Sequence, residues 1–162
     1  MRTWLLIGAA LMCARTGMAN GDGGRLQFCE AGFSIAPLEA KPGDTPYQAL
    51  MMFLPAKADF AANVNVQIQP FTGTIKDYAE ISREQFKTMH WTLVRETPVG
   101  TNALIFEYTG SMQGAKLHWY AKAEYVGDKV YLVTATAPDA QWKEVSAKLI
   151  ACVDSFKVEP GK

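Results

Sequence analysis

The segment AANVNVQIQPF alternates, with Val64, Val66 and Ile68 apolar and Asn63, Asn65, Gln67 and Gln69 polar. A period of two sends neighbouring side chains to opposite faces of a strand, so the pattern predicts a half-buried strand with a row of amides on one face. Upstream, GFSIAP suggests a short first strand through Phe33 and Ile35, stopped by Pro37. YQALMMFLPA, Tyr47 to Ala56, is apolar on both faces and reads as an interior strand.

The period then lengthens. Ile75, Tyr78, Ala79, Phe86 and Met89 fall on one side of a helix, with Thr74 as N-cap, Asp77 three residues on, and an end near His90. Four strands follow, around Thr92 to Thr97, Asn102 to Tyr108, Lys116 to Val126 and Val130 to Thr136, and Gly127-Asp128 marks a tight hairpin between the last two. Pro138 and Asp139 open a second helix that runs to about Asp154, and Phe156 to Val158 are a candidate final edge. Three strands, a helix, four strands and a helix, joined mainly by short turns, imply an α+β domain. Its antiparallel β-sheet has about six to seven strands covered by two main helices. The repeated strand-helix alternation of a parallel doubly wound sheet is absent.

The N-terminus changes the picture of compartment. Arg2 and the apolar run WLLIGAALM read as a secretory signal peptide over residues 1–19, too short to span a bilayer. Gly17 and Ala19 suit cleavage after Ala19, leaving a flexible mature N-terminus at 20–27, a single domain at 28–158 and a tail at 159–162. Cys13 lies inside the leader, and Met12 before it is not the small residue that lipidation requires. The mature chain is therefore expected to be periplasmic or secreted, soluble and without stable membrane insertion. Losing Arg2 and Arg15 leaves 14 basic against 16 acidic residues, which is no footprint for nucleic acid.

Of three cysteines, Cys29 and Cys152 remain after cleavage. Trp142, Val145, Leu149, Cys152 and Phe156 recur at spacings of 3, 4, 3 and 4, which puts Cys152 on the inward stripe of the second helix. In an oxidising compartment a Cys29–Cys152 disulfide is expected, the alternative being two buried free thiols. CxxC spacing is absent, and no metal site is expected.

Candidate chemistry is sparse. There is no G-x-S-x-G motif and no phosphate-cradling glycine loop, so no cofactor is expected and the chain is read as non-enzymatic. His90 suits a helix C-terminus, and His118, which alternates with Leu117 and Trp119, reads as a surface or cross-strand residue rather than a catalytic base. Glu107 and Glu124 read as cross-strand ion-pair partners. Two features could serve binding. The Asn63, Asn65, Gln67 and Gln69 row can hydrogen-bond a glycan, peptide or small molecule unless it is merely solvated or covered by a helix. Trp119, Tyr120 and Tyr125 offer aromatic area on both faces of one strand, or pack in the core.

Taken together, GFSIAP, AANVNVQIQPF leading into TIKDYAEISREQFK, TNALIFEYTG, KVYLVTATAP and a last helix ending DSFKV resemble the PsbP/Mog-like fold, closest to DcrB-like bacterial envelope proteins. The resemblance spans residues 28–158. It implies an antiparallel sheet covered by helices and a non-catalytic binding or assembly module acting through protein-protein contacts, with an envelope protein as partner. No functional residue carries over, because the members use different surfaces. Leu38 and Glu39 follow Pro37 where common relatives place an aromatic residue. The secretory leader argues against the cytosolic effector-chaperone branch.

Overall fold

The computed structural model describes residues 25–28, 32–36 and 45–159. The leader with its Cys13, the cut after Ala19, Cys29, and the loop holding Leu38 and Glu39 lie outside the described residues.

Among the described residues eight strands and two helices follow in the order β1 (Leu26–Phe28), β2 (Phe33–Ile35), β3 (Tyr47–Phe53), β4 (Asn63–Pro70), α1 (Ile75–Thr88), β5 (Thr92–Val99), β6 (Ala103–Met112), β7 (Ala115–Val126), β8 (Lys129–Pro138) and α2 (Asp139–Asp154). The main sheet has six strands in the order β3-β4-β8-β7-β6-β5, every pair antiparallel. The α+β class expected from the periodicities is the one found. Two details differ. β2 pairs with β1 in a separate two-stranded sheet instead of starting the main one, and Phe156 to Val158 form no strand. Phe156 packs beneath α2 and faces Tyr131 at 6.2 Å between ring centres, so its hydrophobicity serves the core and not a ladder.

β3 is an edge strand, not an interior one. Its two apolar sets go separate ways, Leu50 and Met52 into the core and Met51 to a position 38 % exposed. Apolarity on both faces reports what the side chains touch, not whether both edges are paired.

Strand alternation divides the core in two. On one face α1 lays Ala79 and Phe86 against Leu104, Phe106, Trp119 and Ala121. On the other α2 lays Leu149 and Val153 against Val64, Val66, Val133 and Ala135. The sheet is thus the middle layer between two helices, and the whole stripe from Trp142 to Phe156 packs on the α2 side as the spacing predicts. Met89, expected on the inward face of α1, is instead exposed, because α1 has ended at the preceding residue.

Local chemistry sets the ends of α1. Thr74 Oγ1 accepts the Asp77 N–H at 3.3 Å while Asp77 Oδ2 accepts the Thr74 N–H at 2.7 Å, a reciprocal capping box. At the other end His90 takes φ 55°, its N–H donating to Lys87 O and that of Trp91 to Phe86 O. This is the Schellman arrangement, with Trp91 packing back near Phe86. Gly127 at φ 67° lets the two-residue turn with Asp128 close the β7–β8 hairpin. A bulge between Leu93 and Arg95 then turns Glu96 to the α1 face, where both its carboxylate oxygens accept from Arg83, at 2.9 and 3.1 Å.

Candidate functional site

α1 lies over β5, β6 and β7, leaving the same face of β4 and β8 beside it without a helix. Between the helix and that uncovered part of the sheet is a cavity of about 500 Å³. The β4 alternation sends Asn65, Gln67 and Gln69 into it, and their neighbours on β8, paired in register, add Thr134 and Leu132. Ile81, Ser82 and Gln85 of α1 form the opposite wall.

The aromatic wall is a stack. Trp119 lies 4.7 Å from Trp91 and 5.1 Å from Tyr108 between ring centres, and Tyr108 lies 4.4 Å from Phe86, all near parallel. Such pairs contribute about 0.5–1.5 kcal/mol each beyond the area they bury. Sitting on a rigid sheet, they give the cavity a pre-formed wall.

Some of the polar groups along the cavity are paired with one another. Tyr78 Oη donates to Gln69 Oε1 at 2.9 Å, and Gln69 Nε2 donates to Gln67 Oε1 at 3.2 Å. Ser82 Oγ donates to the Tyr78 carbonyl. Burial pushes the Tyr78 phenol up to about 12 and raises that of Tyr108 as well, so both hydroxyls stay neutral donors at physiological pH. Among the described residues Asn65 Oδ1 is the one fully buried side-chain oxygen or nitrogen with no hydrogen-bond partner. A buried acceptor left unpaired costs about 1–3 kcal/mol, so its retention calls for an explanation.

The sequence-derived binding residues are divided by this geometry. Asn65, Gln67, Gln69 and Trp119 come together around the cavity. Asn63 does not join them, being buried with its Nδ2 donating to Ala61 O. Tyr120 lies on the opposite face, in the α2-side core, with its hydroxyl donating to Asp154 Oδ1 at 2.9 Å. Its alternation with Trp119 makes any shared site impossible. Trp91, Tyr108, Thr134 and Thr136 were missed as lining residues. The signal was present in KVYLVTATAP, where Leu132, Thr134 and Thr136 share one parity, two of them hydroxylated inside an otherwise apolar strand.

A second polar cluster lies under α2. His118 is 8 % exposed, not on the surface, and its ring stacks on Trp142 at 4.1 Å with 9° between planes. It does alternate away from Leu117 and Trp119, but the face it reaches is the one α2 covers. Its Nε2 is 3.0 Å from Glu107 Oε1 and its Nδ1 3.3 Å from Asp139 Oδ1. Arg95 pairs across the strands with Glu107, and Lys116 with Asp139, so each carboxylate has a cation of its own. Lys116, first, and then the His118 hydrogen bond hold the Asp139 carboxyl below its ordinary value, against partial desolvation. Glu124 pairs along its own strand with Lys122 rather than across strands. Both nitrogens of His118 thus face carboxylates and neither faces a hydroxyl or thiol, while His90 is exposed at the end of α1. Among the described residues no group of three His, Cys, Asp or Glu has an arrangement that could hold a metal ion, and no helix is long and apolar enough to cross a membrane. Cys152 is half-buried and unbridged among the described residues, and burial pushes its thiol up.

The chain matches no protein-family model and no curated protein sequence. Among solved structures it is similar to a Pseudomonas aeruginosa protein of unknown function, with a TM-score of 0.64 at 16 % identity, over 87 % of this chain and 100 % of that one. It also has a weaker likeness to cyanobacterial PsbP from Synechocystis sp. PCC 6803, with a TM-score of 0.45 at 12 % identity, over 76 % of this chain and 100 % of that one. The first of these likenesses is one of fold.

Proposed function

We propose that this chain is an exported, non-catalytic binding module of the cell envelope, and that it takes a ligand in the cavity between α1 and the uncovered half of the sheet. The observation that carries the reading is the cavity itself: about 500 Å³, one wall of stacked aromatic rings and another of amides and hydroxyls. That volume falls in the range of small-molecule sites, which combine apolar walls with few oriented polar groups. The non-catalytic part is supported by His118, whose ring is held between two carboxylates that are already neutralised. Export rests on the leader-like run from Trp4 to Met12, and kinship with DcrB-like envelope proteins on the sequence resemblance.

Native mass spectrometry of the chain, isolated from the envelope fraction of its own host without detergent, tests the reading. The expected result is a stoichiometric non-covalent adduct that disappears in Thr134→Phe, whose ring fills the cavity. A bare mass for the unaltered protein overturns the ligand reading, and recovery from the cytosol alone overturns export.

A second reading, contact with an envelope protein, is favoured by the β3 edge, where Tyr47 and Met51 are exposed beside an edge that pairs with no strand among the described residues. A partner strand could extend the sheet there. Cross-linking in intact cells with a photoreactive residue at Gln48 tests it, and absence of any specific adduct speaks against that edge as the contact.

A further inference from the structure

The cavity's chemistry restricts its ligand more narrowly than its size does. None of the lining residues is Asp, Glu, Lys, Arg or His. A charged ligand entering it gives up hydration and meets no countercharge, a cost that dipolar amides offset only in part. The lining therefore selects against ions.

Many of its polar groups are open. Among the described residues nothing pairs with the hydroxyls of Tyr108, Thr134 and Thr136, the Gln85 amide, or the side-chain N–H groups of Asn65 and Gln67. The three hydroxyls belong to residues only 7–8 % exposed, yet they are not fully buried, so the surface they keep is cavity surface. Asn65 buries its Oδ1 and keeps surface at its Nδ2. These groups come from β4, β6, β8 and α1, so they meet an occupant from several sides and not along one line.

An apolar occupant would cut these groups off from water, at about 1–3 kcal/mol for each one left unpaired. A hydroxyl, like water, both donates and accepts, so an occupant bearing hydroxyls reproduces the bonds that solvent makes there. A peptide chain offers its donors and acceptors along one line, whereas a sugar ring carries hydroxyls around its periphery and has C–H groups for an apolar wall. Resting on the cavity being the binding site, we propose that it takes an uncharged sugar. Its hydroxyls pair with the open groups of Asn65, Gln67, Gln85, Tyr108, Thr134 and Thr136, and its C–H groups lie against the Trp91 and Trp119 wall. Replacing either threonine by isosteric valine removes a bond made only to the sugar, because the hydroxyl has no partner to lose in the free protein.

The test follows tryptophan emission of the full chain titrated to about 50 mM with glucose, galactose, mannose and N-acetylglucosamine, each beside its 6-phosphate. The expected result is saturable binding of at least one neutral sugar, at least tenfold weaker binding of its phosphate, and loss of both in Thr134→Phe. Thr134→Val and Thr136→Val are each expected to weaken that sugar about three- to tenfold with Tm unchanged or raised. Two further probes locate a failure: N-phenyl-1-naphthylamine, which is neutral and largely apolar, and N-acetyl-trialanine amide, an uncharged peptide. Binding of either probe, lost in Thr134→Phe, with no neutral sugar bound overturns the sugar class and leaves the cavity as a site for an apolar or peptide ligand. Equal affinity for a sugar and its phosphate, or valine variants that both bind as the parent does, overturns the assigned recognition in the same way. Absence of binding by every sugar and both probes, or a sugar bound equally by Thr134→Phe, overturns the cavity as the site as well. The sugar comparison in the unaltered protein holds even if a variant does not fold.

Discussion

Gly110 and Trp91 occupy one space: a Cβ built on Gly110 would lie 2.1 Å from Trp91 Cδ1 and 2.7 Å from Cγ. β6 gives up a side chain at this point so that the indole can lie flat across it, between the end of α1 and the Trp119 ring. The Trp91 Nε1–H points on toward Ser111 O at 3.4 Å. One missing methyl group on a strand thereby sets the position of an aromatic wall of the cavity.

Gly110→Ala tests this with a sign. Alanine in a strand interior is ordinarily the better residue, by about 0.5–1 kcal/mol. Here the methyl group must expel a packed ring, and overpacking of this kind costs about 1–3 kcal/mol. Urea unfolding is expected to show net destabilisation, with loss of near-ultraviolet circular dichroism from the stacked rings. A stability equal to or above that of the parent would mean that Trp91 is free to move away.

His90 carries a second prediction of sign. Its φ of 55° is left-handed, a region that costs a residue with a Cβ about 1–2 kcal/mol. His90→Gly removes that strain but adds freedom to the unfolded chain, worth about 0.5–1 kcal/mol. The expected net gain is about 0.5 kcal/mol, read as a higher urea midpoint at an unchanged slope. A loss would assign His90 a role beyond closing α1, such as the dipole interaction expected from its place at a helix C-terminus.

Period and capping made most of this fold readable. Thr74 with Asp77, Gly127 with Asp128, and the stripe from Trp142 to Phe156 each state a local geometry that tertiary packing then had only to respect. Neighbour relations were not readable, because alternation tells which residues share a face and not what covers it. His118 shows the difference: its parity was right, yet α2 covers the face to which it points. The amide row shows it again. The cavity exists because α1 lies over β5 to β7 and stops short of β4 and β8, a placement no local pattern encodes.

The capping box predicts an acid limb. Thr74, through its side-chain and then its backbone hydrogen bond, lowers the Asp77 carboxyl below 3.8, its value without those bonds. The native state therefore binds this proton less readily than the unfolded chain. The stabilisation is fully present above about pH 4 and fades as pH falls through the lowered native value. Asp77→Ala is expected to have a lower Tm than the parent at pH 6, with the gap narrowing steadily between pH 4 and pH 2. A gap independent of pH would show that the carboxylate charge does not contribute to the cap.

Cys152 is expected to be bridged to Cys29 in the mature protein. Burial raises the Cys152 thiol, so in the native protein it would resist alkylation at neutral pH whether or not it were bonded. The assay must therefore be made on denatured, unreduced protein recovered from the oxidising compartment, where no reactive thiol is expected and two appear after reduction. A third would mean that Cys13 had been retained with the leader. Stability separates the readings a second way. A half-buried free thiol behaves as a small hydrophobe, so Cys152→Val would cost under about 1 kcal/mol. A bridge closing a loop of more than 100 residues is worth about 4–5 kcal/mol in the chain-entropy model, and its loss would lower the urea midpoint sharply. Two reactive thiols together with a tolerated Cys152→Val would leave the α2 stripe intact and remove the staple.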